Sequence, residues 1–170
     1  MNLTRAVIEQ QAKELLQANN SYAIPVDPVI LANRLGIKVS NAVFSEQTLA
    51  GIVARRGDHA SILVNQADPP FRKRFTIAHE LGHYLLHLSK DGEIVDRETD
   101  LFRVADADEV PSDVARWREI EANRFAAALL MDADHVREQW SKLRSVGAMA
   151  RLFNVSETAM GIRIGTLGIE

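Results

Sequence analysis

Cysteine is absent from the 170 residues. Disulfides and thiolate-bound metals are thereby excluded, and any metal has to be held by histidine and carboxylate. No uninterrupted apolar run reaches the ~18 residues of a membrane span, and the N-terminus lacks a signal-peptide pattern, so a cytoplasmic protein is expected. A strong charge bias is missing too: 20 basic against 23 acidic residues leave a net charge of −3. That balance offers no electrostatic footprint for general nucleic-acid binding. Internal repeats and low-complexity tracts are also lacking. What is present is an ordinary globular composition, 46% apolar and 25% charged, in a chain long enough for one domain with a real core or two small lobes.

One stretch organises the rest: Arg74 to His87, RFTIAHELGHYLLH. Within it His79, Glu80 and His83 spell H-E-x-x-H. On a helix, positions four apart share a face, ~6 Å apart along the axis, so both imidazoles can converge on one tetrahedral metal ion. Glu80 is turned roughly 100° from His79, which suits a proton acceptor beside the metal better than a ligand. The spacing is that of a metal-dependent hydrolase, if the stretch is helical. Asp68-Pro69-Pro70 supplies a start signal, with Asp68 as the expected cap. Phe71, Phe75, Ala78, Gly82, Leu85 and Leu86 recur at helical spacing. Gly82 in mid-helix costs about 1 kcal/mol against Ala, which points to close approach of another helix or of the metal site. The bland alternative is two half-buried histidines on an amphipathic helix.

Upstream, Thr4 to Gln17 reads as a helix capped by Thr4, and a second opens at Pro25-Val26-Asp27-Pro28 and stops at Gly36. Residues 37–40, 49–55 and 60–65 read as three strands, the last two joined by a turn at Gly57-Asp58. A small antiparallel sheet against the H-E-x-x-H helix is expected, with an open edge to which an extended peptide could add. His59 falls in the turn. Residues 93–110 are acidic and weakly patterned, either a solvated charge run or a surface loop over the site.

Pro111-Ser112-Asp113 opens another helix, to about Met131. Positions 114, 117, 121, 125 and 128 follow the spacing of a buried face, and Glu121 lies in its middle. A lone carboxylate there is costly unless neutralised. We take Glu121 as the third metal ligand; a buried ion pair to Arg72 or Arg74 is the alternative. Glu119, about 200° round the helix, is expected at the solvent. His87 lies two turns from His79, a rise of ~12 Å that zinc bonds cannot span, and is expected to favour the helix C-terminus. His135 is expected at the surface.

Residues 134–143 form another helix, and Val146 to Glu170 has a helix–turn–helix flavour, with Asn154-Val155-Ser156 as the turn. Reading DNA would require base-contacting side chains on the second helix, which offers Thr158, Arg163 and little else. A helical pack closing the core is the preferred reading. The expected division is a core over residues 1–131 and a helical subdomain over 132–170.

RFTIAHELGHYLLH followed by EIEANRFAAALLM resembles the ImmA/IrrE family of bacterial metallopeptidases, as do GIVARRGDHASILVN and the Ile24-Pro25-Val26-Asp27-Pro28 opening. The resemblance implies an α+β fold, zincin-like helices with a small three-stranded antiparallel sheet and a helical C-terminal part. It implies that His79, His83 and Glu121 bind Zn²⁺ and that Glu80 is the catalytic acid/base. The implied activity is endopeptidase action on a protein substrate, with helix–turn–helix repressors of mobile elements or stress responses as the class. Non-catalytic binding proteins of toxin–antitoxin type are the rival. Asp132 stands where the family commonly has Pro. Four residues after Glu121, where the wider pattern has an Asp behind a histidine, this chain has Phe125, so no such partner is identifiable. Tyr84 and His59 are the available candidates for a second oxyanion donor.

Overall fold

The computed structural model describes residues 3–46, 48–88, 91–97 and 114–169. Seven helices and a four-stranded sheet are found among them, an α+β architecture. Helix α1 (Arg5–Ala18) is capped by Thr4, whose hydroxyl accepts from the Val7 amide. Helix α2 (Pro28–Arg34) begins with proline behind Asp27, whose carboxylate accepts from the Val29 and Ile30 amides. Helix α3 (Pro70–Leu86) carries the H-E-x-x-H stretch. It starts behind Pro69 without a side-chain cap; Asp68, expected there, instead lies 3.6 Å from Arg72 in an i,i+4 ion pair.

The sheet departs from expectation in size and sense. Strands β1 (Ile37–Ala42), β2 (Leu49–Arg56), β3 (His59–Asn65) and β4 (Gly92–Arg97) run in the order β1-β3-β2-β4. Strand β1 pairs parallel to β3, while β2 is antiparallel to both β3 and β4. The sheet is therefore mixed and four-stranded, not three-stranded and antiparallel. Parallel neighbours need a connection longer than a hairpin, and β2 itself provides it: the chain leaves β1, runs β2 one position away, and turns at Gly57 (φ +58°) to fill the gap with β3. The fourth strand comes from the start of the acidic segment; the remainder of that segment lies outside the described residues.

Helix α3 packs on β2 and β3 on one side and on α4 (Val114–Leu130) on another. The approach to α4 is made at Gly82. A Cβ there would stand 3.1 Å from the Ala122 Cα and 3.2 Å from its carbonyl oxygen, so the missing side chain is what lets the helices close, as its cost in mid-helix suggested. Helices α5 (Ala133–Leu143), α6 (Val146–Phe153) and α7 (Glu157–Thr166) complete the chain. The turn between α6 and α7 has Asn154 in the left-handed region and Ser156 as the next cap. One buried cluster includes Ile8 and Leu16 of α1, Phe125 and Leu129 of α4, and Met149, Phe153 and Met160 of the last helices. Arg163, 3% exposed, ties these parts together: it grips Glu9 with both terminal nitrogens and donates from Nε to the Met131 carbonyl. It is thus a core residue and is not presented to a nucleic acid. Among the described residues no helix is long and apolar enough to cross a membrane.

Candidate metal centre

His79 and His83 come from the face of α3 turned to α4, and both are buried, at 0% and 1% exposure. Their Nε2 atoms lie 2.9 Å apart. The carboxylate that joins them is Glu119. One of its oxygens lies 3.3 Å from His79 Nε2 and the other 3.2 Å from His83 Nε2. These three residues are the one cluster with metal-ligating spacing among the described residues. Donors at 2.0–2.1 Å from a tetrahedral ion are spaced by ~3.3 Å, so the three atoms already stand close to the edges of such a tetrahedron.

Glu121 does not join them. It accepts hydrogen bonds from the Leu3 amide (2.6 Å) and from Trp117 Nε1 (2.8 Å), with His87 Nε2 3.7 Å away. Neither Arg72 nor Arg74 is its partner among the described residues; Arg74 binds the carbonyls of Val26 and Asn154. Glu121 departs from expectation because the buried surface of α4 is not one stripe. From Ile120 onward α4 is covered on two sides, by α3 and by α1, and Glu121 turns to Leu3 just ahead of α1 and to Trp117. Val114, assigned to the same stripe, is 70% exposed. Glu119 faces α3 while keeping 36% of its side chain exposed, so the cluster has one open side.

Asn123, buried and one turn beyond Glu119, supplies the partner that was missing. Its Oδ1 accepts from His79 Nδ1 at 2.8 Å. A proton held on Nδ1 leaves Nε2 as a bare lone pair, aimed at the Glu119 carboxylate and the second imidazole. That lone pair and a carboxylate oxygen 3.3 Å away repel unless a cation lies between them, so this donor set fits a divalent metal ion. Burial pushes the His83 imidazole down to about 4, against the pull of Glu119, so it is neutral at pH 7 as a ligand must be.

Glu80 is fully buried and turns to the sheet side of α3, where its carboxylate lies against Gly51 of β2. His87 caps α3, with Nε2 3.1 Å from the Arg118 carbonyl, outside the cluster as its distance along the helix required. His59 is exposed at the start of β3, Tyr84 packs against the core under Arg55, and His135 is half-buried and stacked on Tyr22.

A family model described as an IrrE N-terminal-like domain, and named as a peptidase family, matches residues 32–165. The chain belongs to this family. The matched span contains the H-E-x-x-H helix, the whole described sheet and α4. In fold, the chain is similar to a Mycobacterium tuberculosis transcriptional regulator at a TM-score of 0.62 and 20% identity. The match covers 93% of this chain but 46% of that one, so this chain corresponds to about half of the larger protein. No curated protein matches.

Proposed function

We propose that this protein is a zinc-dependent endopeptidase of narrow specificity, with His79, His83 and Glu119 as the metal ligands and Glu80 as the catalytic acid/base. The observation that carries the reading is the meeting of two imidazole Nε2 atoms and one carboxylate within 2.9–3.3 Å, with a buried glutamate next in sequence to one of them. The absence of cysteine leaves a nitrogen and oxygen donor set that suits zinc. Bound zinc supplies Lewis acidity, polarising a peptide carbonyl and acidifying water.

The remaining work falls to the chain's own residues. Glu80 takes the proton of the attacking water and returns it to the leaving amine nitrogen. Asn123 holds His79 in the tautomer that keeps Nε2 free. The exposed flank of Glu119 marks the side from which a substrate reaches the site. The class of substrate we propose is a helix–turn–helix repressor, in line with the transcriptional regulator that shares the fold.

A second reading, a regulatory binding protein that retains a metal site, draws on the same neighbour. The two separate on Glu80, since a metal site kept only for structure needs no base. Glu80→Gln is expected to retain zinc at the wild-type ratio and to lose cleavage of a purified helix–turn–helix repressor that the wild type cleaves, by at least about 100-fold for loss of a general base. Equal cleavage by Glu80→Gln and wild type would remove the hydrolase reading.

A further inference from the structure

Three residues of α3 one turn apart, Thr76, Glu80 and Tyr84, face β2, and the matching residues of the strand are Gly51, Val53 and Arg55. Arg55 lies over the Tyr84 ring at 5.8 Å and Val53 is wholly buried. Gly51 lies against Thr76 and Glu80, both at 0% exposure. A Cβ at Gly51 would overlap the Glu80 Oε1, and would stand 2.7 Å from the Thr76 methyl and 3.1 Å from the Glu80 Cδ. The glycine is not there for its backbone freedom, because a positive φ is found at Gly36, Gly57 and Gly168 and not at Gly51. It is there for space. The β2–β4 ladder also slips between Leu49 and Gly51, so the irregularity falls immediately before the contact. Such bulges re-aim the strand locally and are frequent beside active sites.

We propose that Gly51 is a positioning residue for Glu80. The bare Cα, set in place by the irregularity at Ala50, forms the wall against which the Glu80 carboxylate rests, and so fixes how far that carboxylate stands from the sheet. A side chain at 51 has two neighbours to displace. Thr76 is β-branched and held in a helix, so its methyl is stiff; the Glu80 carboxylate is the end of a flexible chain and yields first. The proposal rests on the reading of Glu80 as the acid/base only for its catalytic consequence, not for the contact itself.

The test is a double-mutant cycle of Gly51→Ala and Glu80→Ala in the full chain with zinc added, read by thermal unfolding. Gly51→Ala is expected to lower the midpoint by about 4 °C or more. With Glu80→Ala, at least about half of that loss is expected to disappear, because the carboxylate that obstructs the new methyl is gone. Glu80→Asp, shorter by one methylene, is expected to recover part of the midpoint in the Gly51→Ala protein while giving no gain in the wild type. Strict additivity of Gly51→Ala and Glu80→Ala would overturn the proposal. Should Gly51→Ala fail to fold, a soluble, cooperatively melting Gly51→Ala/Glu80→Ala protein supports the proposal, and an equally insoluble one overturns it. Zinc content is expected to be unchanged in Gly51→Ala, while kcat on the repressor falls with KM unaltered. Coupling in the melts together with a wild type that cleaves nothing would leave Gly51 as the positioning residue of Glu80 and remove the peptidase reading alone.

Discussion

On α4 the side chain of Glu119 leans towards α3, where two imidazoles present their Nε2 atoms to it, while Glu121, roughly 200° further round the helix, turns to the N-terminal segment and to Trp117. Both carboxylates touch histidine, and Glu121 is the more deeply buried, at 5% exposure. The difference lies in what faces them. Glu121 receives two N–H donors, so its charge is already compensated by the protein. Glu119 faces the His79 Nε2 lone pair that the Asn123 contact leaves bare, an arrangement that a cation would complete. Burial of a carboxylate is therefore a weak sign of a ligand; the chemistry of its neighbours separates a structural acid from a metal-binding one.

That contrast breaks most sharply under substitution. Glu119→Ala is expected to weaken zinc binding by more than the roughly 100-fold that loss of an outer partner costs, with little effect on the melting of the metal-free protein; competition against a chromophoric chelator measures it. Glu121→Ala is expected to do the reverse. It leaves the Leu3 amide and the Trp117 indole without their acceptor, at a cost of about 2–3 kcal/mol in denaturant unfolding, and leaves zinc affinity within about twofold of wild type because no direct ligand or outer partner is lost.

Asn123→Ala tests the layer behind the ligands. Loss of its acceptor frees the His79 ring and is expected to lower zinc affinity about 10-fold, with Asn123→Asp restoring it. The smallest effect is expected from Gly82→Ala. A methyl at 3.1 Å from Ala122 forces α3 and α4 slightly apart, costing about 1–3 kcal/mol of stability and weakening zinc less than Asn123→Ala does.

Much of the fold could be read from residue order alone. The cap at Thr4, the helix opening at Pro25-Val26-Asp27-Pro28, the turn at Gly57, the H-E-x-x-H helix and the Asn154 turn are local devices with local chemistry, and the structure realises each of them. The pairing of β1 with β3 was not legible, since it depends on the chain skipping a position in the sheet and returning to fill it. Nor was β4, whose acidic segment shows little alternation.

The place of Glu119 beside the two histidines was not legible for a related reason: helical periodicity shows that α4 is buried but not which neighbour covers which side. A signal was present nonetheless. Ala122 and Asn123, three and four residues after Glu119, offer a small residue opposite Gly82 and an amide able to serve a histidine. Reckoned from Glu121, the corresponding residues are Arg124 and Phe125, which offer neither.

We propose that Glu119, and not Glu121, shares a metal ion with His79 and His83. A zinc-edge anomalous difference map from zinc-loaded crystals tests it directly. One peak is expected at about 2.0–2.1 Å from both Nε2 atoms and from a Glu119 oxygen. A peak coordinated by Glu121, or no peak between the two histidines, would contradict it.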